Sequence, residues 1–270
     1  MYQQEYEEMY KLEDFYWWFV GRRKLVCDVF EKESARAASS AGGLPLMILD
    51  VGCGTGANML AFSAYGEVHG VDPAPEAVTF CERRSVGGVK QASVEELPYP
   101  DSYFDVITIL DVLEHTDDDL AALKEVKRVA KPGALVISTV PAYGFLWSEH
   151  DEALQHRRRY SAHELRNKMT VCGFNVERSS YFVTLLFWPI FLMRIAQGLS
   201  KDSTSPKTAI HVLPPWLNSL LLKLLDVERW MLRGFNLPFG VTIVATARAM
   251  KKPLGSRIAG VASGVEAVTL

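Results

Sequence analysis

Three glycines spaced two residues apart, Gly52, Gly54 and Gly56, follow an apolar run that ends in Asp50-Val51. Because glycine has no Cβ, a ligand can lie directly against the backbone of such a turn. A helix-compatible segment follows at 57–65, and the free N–H groups at the start of a helix can also bind a ligand. The order of strand, tight turn and helix therefore predicts a cofactor-binding loop at the end of the first strand.

An acidic residue at the end of the second predicted strand narrows the class of cofactor. Asp72 ends a second predicted strand about 20 residues farther on, where a carboxylate can accept both ribose hydroxyl hydrogens of a nucleoside. A dinucleotide fingerprint would place the third glycine three positions after the second, whereas here Gly56 follows Gly54 by two. The spacing argues against a dinucleotide and leaves another nucleoside cofactor.

Two more motifs follow the next predicted strands. Ser93-Val94-Glu95-Glu96-Leu97-Pro98 comes after the third strand, and Asp111-Val112-Leu113-Glu114-His115 comes after the fourth. Strands and helices alternate from Leu46 onward, which predicts a mostly parallel sheet covered by helices on both faces. Because parallel strands end at one edge of such a sheet, all four motifs should meet there.

Taken in chain order, these motifs resemble those of class I S-adenosylmethionine-dependent methyltransferases, and within that class the ubiquinone-biosynthesis type. The resemblance covers about residues 44–181 and a strand at 240–249. It implies a doubly wound, seven-stranded, Rossmann-like α/β sheet and S-adenosyl-L-methionine as the methyl donor. The aromatic start at 16–23 and the segment 156–160 are similar to a bacterial subgroup associated with cell-envelope glycan or lipid pathways.

The resemblance also implies which residues bind the donor. Asp72 would hold the ribose hydroxyls, and Leu110 and Asp111 would lie near the methionine end. Ser93 stands where the family usually has an aspartate facing the adenine amino group. That departure weakens the adenine contact, for which the backbone N–H of Val94 remains as a donor. The implied cofactor-binding residues are Asp50, Gly52, Cys53, Gly54, Gly56, Asp72, Pro73, Ser93, Val94, Leu110 and Asp111.

Candidate catalytic residues follow the fifth predicted strand. His150 or His156 could act as the general base for a hydroxyl nucleophile, and Asp151 could orient either one. The alternative is that these residues tie the loop to a helix at 161–172 through salt bridges. The predicted acceptor contacts are Trp18, His115, Tyr143, Trp147, Arg158 and Tyr160.

A divalent cation is a weaker hypothesis. Asp111, Glu114 and His115 offer carboxylate and imidazole ligands within one helical turn. The commoner interpretation is that Glu114 and His115 cap the loop or line the cavity, so we expect no metal.

Length and composition exclude several other classes. The chain has 270 residues, 49% of them hydrophobic, and a formal net charge of −3, so it can bury a large core and nucleic acid is not expected as its partner. Its four cysteines form no CxxC pair, which argues against zinc ribbons and favours a reducing, cytoplasmic location. The polar, acidic N-terminus is not typical of a signal peptide.

We expect three parts along the chain. Residues 1–43 form an aromatic-rich helical segment and a linker at 34–43. The segment packs on the core, covers the cofactor or forms an aromatic and basic membrane patch. Residues 44–250 form the methyltransferase domain with a helical insertion at about 183–238, and 251–270 form a disordered tail.

The helical insertion does not determine which acceptor the protein methylates. Its two apolar stretches, 183–199 and 215–234, either cap the substrate cavity or form a homodimer interface, or they lie on the inner face of a membrane. We expect methyl transfer to oxygen on a hydrophobic or lipid-linked small molecule. The alternatives are a soluble aromatic, quinone-type or natural-product acceptor, and a binding protein without turnover.

Overall fold

The computed structural model describes residues 3–40, 45–199 and 212–251. The strands are β1 (Leu46–Val51), β2 (Gly66–Asp72), β3 (Val89–Gln91), β4 (Phe104–Leu110), β5 (Ala130–Pro141), β6 (Phe174–Phe182) and β7 (Thr242–Ala249). The helices are α1 (Gln3–Leu12), α2 (Trp17–Ser40), α3 (Ala57–Phe62), α4 (Pro75–Arg83), α5 (Asp119–Val129), α6 (Glu149–Ala153), α7 (Ala162–Val171), α8 (Phe187–Leu199) and α9 (Pro215–Leu232).

The strands form one sheet in the order β3-β2-β1-β4-β5-β7-β6. The pairs β1–β2, β1–β4, β2–β3 and β4–β5 are parallel, and β7 runs antiparallel between β5 and β6. The chain moves outward from β1 in both directions, so the crevice beyond β1 and β4 is the place where such sheets bind ligands. The predicted doubly wound, seven-stranded fold is confirmed.

Burial explains why the central segments are strands. In β4 every residue except Asp105 is buried, as expected for a parallel strand covered on both faces. The helix that follows, α5, buries Leu123, Val126 and Val129 at helical spacing. Its N-cap is Asp118, which accepts hydrogen bonds from two backbone N–H groups of the first turn.

The N-terminal segment departs from the sequence-based boundaries. Helix α2 continues to Ser40, through most of the predicted linker 34–43. Alanines at 35, 37 and 38 have the highest helix propensity, which outweighs the serines that suggested a linker. Residues 41–44 and the predicted tail from 252 onward lie outside the described residues.

The N-terminal helix and the C-terminal insertion pack against each other. A Cβ on Gly21 of α2 would lie 2.3 Å from Leu225 Cδ1 of α9, so the two helices touch closely at this glycine. Arg229 binds Asp28 at 2.9 Å across the same contact. Among the described helices, none is both long and apolar enough to cross a membrane.

Candidate active site

A cavity of about 420 Å³ lies at the carboxyl edge of the sheet. Its floor includes Gly52 and Gly54 of the glycine turn, Asp72 after β2 and Asp111 after β4. Its roof comes from α1 and α2, and its far wall comes from α6, the segment after α6, and α8. Elements from both ends of the chain therefore enclose the motifs that the sequence placed together.

The glycine turn has the backbone conformation that its composition predicts. Gly52 and Gly54 have φ values of +70° and +54°, in the left-handed region that side chains disfavour. A Cβ on Gly54 would lie 2.7 Å from Met9 Cε of α1, and one on Gly52 would lie 2.3 Å from Val112 Cγ2. Both positions are therefore restricted to glycine by the backbone and by the packed neighbours.

Asp72 is buried, and its carboxylate accepts three hydrogen bonds. Its carboxylate accepts hydrogen bonds from the Tyr6 hydroxyl at 2.8 Å, from Gly54 N at 3.0 Å and from Ala74 N at 3.0 Å. Burial raises the pKa of Asp72 although these hydrogen bonds oppose the shift. Helix α1 thus contacts Asp72, the residue predicted to bind the ribose. This contact is what we would expect if α1 covers the cofactor.

Asp50 lies beneath the glycine turn. Its Oδ1 accepts a hydrogen bond from Thr108 Oγ1 at 2.6 Å, while its buried Oδ2 has no partner in the described part of the chain. Burial raises the pKa of Asp50 to about 7. A buried, unpartnered carboxylate oxygen beside the turn matches a donor group on a cofactor.

A smaller cavity of about 180 Å³ adjoins the first. It is lined by Pro73 after β2, by Ser93 and Val94 after β3, and by Val112 after β4. The Ser93 hydroxyl is already bonded to the Glu95 carboxylate. This cavity lies next to Asp72, at the position expected for a nucleobase.

Asp111 sits in a strained conformation between the two ends of the large cavity. Its φ is +56°, which is rare for a residue with a side chain and is common at functional sites. Its carboxylate accepts hydrogen bonds from Thr139 Oγ1 at 2.9 Å and from Arg22 of α2. Two separate elements therefore fix its orientation.

Asp151 organises the far wall. It is completely buried, and its Oδ1 lies 2.9 Å from His156 Nδ1 and 2.8 Å from Arg159 Nε. Burial alone would raise the pKa of Asp151, but the bond to His156 and the charge of Arg159 outweigh it and hold the pKa below its usual range. Asp151 therefore stays ionised and engages one ring nitrogen of His156, leaving Nε2 for the cavity.

Two other histidines line the same wall. Burial, followed by the charge of Arg194, lowers the pKa of His150 to about 4. Burial, followed by His156, lowers the pKa of His115 to about 4 as well. Both rings are neutral near pH 7. The His115 and His156 rings meet edge to face, with centroids 4.7 Å apart.

Comparison with known proteins agrees with this arrangement. Residues 49–138, which run from β1 into β5, match the family model described as a methyltransferase domain. The chain carries a class I S-adenosylmethionine-dependent methyltransferase domain.

The methyltransferase domain has partial matches among characterised and uncharacterised relatives. An uncharacterized methyltransferase of Schizosaccharomyces pombe is 36% identical over 137 residues, 43% of this chain and 49% of that protein. A demethylmenaquinone methyltransferase of Staphylococcus aureus is 41% identical over 104 residues, 33% of this chain and 40% of that enzyme. The matches thus span half or less of the length of these curated relatives.

Among solved structures, a methyltransferase from Thermotoga maritima described as a possible histamine N-methyltransferase is similar, with a TM-score of 0.54 and 18% identity. The likeness covers 91% of this chain and 95% of that one. At this identity it shows that the two chains share a fold.

Most of the residues predicted to bind the cofactor lie in the two cavities of the methyltransferase domain. The larger one includes Gly52, Cys53, Gly54, Asp72, Pro73, Leu110 and Asp111, and the smaller one includes Ser93 and Val94. Asp50 and Gly56 lie behind the turn. Of the predicted acceptor contacts, Trp18 and His115 line the larger cavity, as do His150 and His156.

Four predicted acceptor contacts have other partners and do not line it. The Tyr160 hydroxyl bonds to Leu113 O and to Asp119, and Arg158 binds the backbone carbonyls of residues 116 and 117. Trp147 Nε1 lies 3.4 Å from Glu152, and Tyr143 stacks on Tyr181 with centroids 5.3 Å apart. These side chains hold the loop in place through hydrogen bonds and ring stacking.

The residues that could bind a cation differ from the predicted set. One ligand atom each of Glu114, His115 and His156 lie within 4.8 Å of one another, whereas Asp111 is paired with Arg22. In the described residues neither carboxylate oxygen of Glu114 has a hydrogen-bond partner. Burial, followed by Asp111, raises the pKa of Glu114 well above its usual range. These shifts favour the neutral forms of Glu114 and His115.

Three residues that line the larger cavity were not predicted from the sequence: Tyr6, Arg22 and Arg194. Tyr6 and Arg22 belong to the aromatic and basic N-terminal run, whose composition signalled a covering role but not which motif it covers. Arg194 interrupts an apolar helix, and that interruption was the available signal.

Proposed function

We propose that this protein transfers a methyl group from S-adenosyl-L-methionine to an oxygen of a hydrophobic or lipid-linked small molecule. The observation that carries the proposal is that one cavity is lined both by the donor motifs and by His156, whose ring Asp151 holds from behind through a hydrogen bond. Donor and base therefore share one enclosed space, which is what group transfer by proximity needs.

The residues present fit the donor. Asp72 would hold the ribose, the smaller cavity beside Val94 and Pro73 would take the adenine, and the turn with Asp111 would hold the methionine part. The unpartnered oxygen of Asp50 supports the same assignment. When bound, S-adenosylmethionine supplies a methyl group already activated by its sulfonium.

The chain's own residues would supply the base and the dry surroundings. His156 Nε2 would accept the proton of the acceptor hydroxyl, while ionised Asp151 holds the ring and stabilises its charged form. Trp17, Trp18 and Phe19 of α2 line the cavity on the solvent side and would exclude water.

An apolar outer surface supports the lipid-linked acceptor. Helix α8 exposes Leu185 just before it, then Trp188, Leu192 and Ile195, a stripe at helical spacing without a charged residue. The opposite side of α8 contributes Ile190 and Met193 to the cavity wall. One short helix thus separates the site from an apolar face.

Helix α9 carries a matching stripe. Trp216, Leu220, Val227 and Trp230 lie on one helical face with Lys223, and the two tryptophans are 69% and 70% exposed. The two helices are linked where buried Glu228 of α9 accepts hydrogen bonds from the backbone N–H groups of residues 184 and 185, just before α8. Exposed tryptophans interspersed with aliphatic and basic side chains are typical of helices that lie in a membrane interface. We therefore propose a membrane surface as the occupant, at the cytoplasmic side.

A quinone-type acceptor is the second candidate. Demethylmenaquinone methyltransferase, whose name specifies a quinone precursor, is among the relatives that match the donor half. Its acceptor class also fits a cavity with aromatic walls.

Radiolabel transfer tests the proposed reaction. The protein is incubated with S-adenosylmethionine carrying a labelled methyl group and with a lipid extract of its source cells, and the organic phase is counted. We expect label in lipid that resists mild acid, as methyl ethers do. Label in a water-soluble product would favour the soluble acceptor, and absence of binding to S-adenosylhomocysteine in calorimetry would end the methyltransferase proposal.

Vesicle flotation tests the surface. We expect the protein to float with vesicles containing anionic phospholipid, and the double substitution of Trp216 and Trp230 by serine to reduce the floated fraction several-fold. Val171, exposed on α7 away from the stripes, provides the control Val171→Ser. A wholly soluble wild-type protein that sediments as a dimer would instead assign the stripes to a second copy.

A further inference from the structure

Two arginines approach the same carboxylate at the far wall of the cavity. Arg159 and Arg194 both approach Asp151, with Arg159 Nε at 2.8 Å from Oδ1 and Arg194 Nη1 at 3.5 Å from Oδ2. The same carboxylate also binds His156. Two guanidinium groups therefore share one carboxylate, which offsets only one of their two positive charges.

Arg194 is the arginine with fewer hydrogen bonds, although its Nη1 lies within ion-pair distance of Asp151. Its side chain is 9% exposed, and within the described residues neither Nε nor Nη1 has a hydrogen-bond partner. Arg159, by contrast, also donates to Ala142 O at 2.9 Å. Burying unpaired guanidinium donors is costly, and structures retain such groups where a ligand completes them.

The charges around Arg194 also indicate a positive electrostatic potential at the far wall. Burial, followed by the charge of Arg159, lowers the pKa of Arg194 to about 10, and the charge of Arg194 helps to keep His150 neutral. The carboxylates farther along the cavity do not compensate, because Asp111 is bonded to Arg22 and Glu114 has a raised pKa. The far wall is therefore electropositive.

Arg194 also faces the larger cavity. It lies on the inner side of α8 and lines the cavity together with Arg159 and His150. It is four residues from Ile190 and adjacent to Met193, which line the same wall with apolar surface. A ligand with an anionic group beside a hydrocarbon chain would match this sequence of surfaces.

We propose that Arg194, supported by Arg159 and His150, forms a subsite for an anionic group, a phosphate or a carboxylate, carried by the acceptor. The planar guanidinium can bind either anion through two parallel N–H donors. The inference rests on the proposed methyl transfer and specifies its acceptor as an amphiphile with a hydrocarbon part and an anionic head.

Three ligands with one hydrocarbon chain test the subsite: farnesyl phosphate, farnesoate and farnesol. Each is titrated calorimetrically into protein saturated with S-adenosylhomocysteine. We expect farnesyl phosphate to bind about 10-fold or more tightly than farnesol, in line with a charge-assisted contact. Farnesoate binding as tightly as the phosphate would define a general anion site, and farnesoate behaving like farnesol would define a phosphate site.

Variants assign the preference to the residue. Arg194→Met should bring the affinity for the anionic ligands down to that of farnesol and leave S-adenosylhomocysteine binding unchanged. Arg194→Lys should keep part of the preference, and Arg166→Met, on the exposed face of α7, should keep all of it. Farnesol binding as tightly as both anions, or a full preference in Arg194→Met, would overturn the subsite. Failure of S-adenosylhomocysteine to bind would instead overturn the methyl-transfer proposal beneath it.

Discussion

The two ends of the cavity are built by different means. The donor end uses a glycine turn and strand-terminal residues between 50 and 111, which the sheet brings together through its strand order. The acceptor end uses side chains from α2, α6 and α8, held by ion pairs such as Arg22–Asp111 and Arg194–Asp151. The strand order and the glycine turn therefore define the donor site, whereas side chains from helices outside the sheet define the acceptor site.

Removing the base should have the largest effect and should separate the two ends cleanly. We expect His156→Gln to lower transfer of labelled methyl into the lipid extract by about 100-fold or more, as general-base losses do. Binding of S-adenosylhomocysteine should not change, because His156 contacts the far wall. His163→Gln, at an exposed histidine of α7, is the control. Equal transfer in the two variants would remove His156 from the mechanism.

Asp72→Ala tests the donor end of the cavity. It removes a carboxylate that binds Tyr6 and two backbone N–H groups and that we expect to bind the ribose. We expect S-adenosylhomocysteine to bind about 100-fold more weakly in calorimetry. Glu67→Ala on the same strand, with its exposed carboxylate, should bind like the wild type. Unchanged affinity in Asp72→Ala would mean that the donor lies elsewhere.

The pH dependence of stability probes the acceptor wall. The pKa of His150 is about 4 in the fold and 6.5 as its ordinary value, so its contribution is complete above pH 6.5 and is lost as the pH falls towards 4. We expect His150→Asn to lose less free energy of unfolding than the wild type between pH 7 and pH 4.5, by on the order of 2 kcal/mol.

Urea unfolding at both pH values measures this difference, with His163→Asn as the control. Asp50 and Glu13, whose pKa values rise to about 7, act in the opposite direction but are common to both proteins. Parallel pH curves for the wild type and His150→Asn would contradict the burial of a neutral imidazole at this wall.

The cover over the donor should show the smallest effect. Tyr6→Phe removes the hydroxyl of α1 that binds Asp72 and leaves the ring in its apolar contacts. We expect S-adenosylhomocysteine to dissociate about 3- to 10-fold faster in stopped-flow measurements. Tyr103→Phe, at a tyrosine outside both cavities, is the matched control. A dissociation rate equal to that of the wild type would mean that α1 does not retain the ligand.

The same contrast explains what could be predicted from the sequence. Glycine spacing and strand order located Asp72 and Asp111 because local geometry and a common sheet edge determine their positions. The pairing of Arg194 with Asp151 could not be predicted, because it depends on how an insertion folds back over the sheet. Tyr160 was misplaced for a related reason: an aromatic next to an arginine run looks like a ligand contact, but it fills a gap and bonds to Asp119.

The contact between α2 and α9 has a consequence for the order of folding. Arg229 and Asp28 are 201 residues apart, so the two helices can meet only after nearly the whole chain has been synthesised. Contacts between distant segments form slowly, whereas the neighbouring strands β1, β2 and β4 can pair earlier. A newly made chain should therefore acquire its nucleoside-binding half first and stay exposed along its apolar helices until the last segment arrives. During that interval a membrane surface or a chaperone would protect it from aggregation.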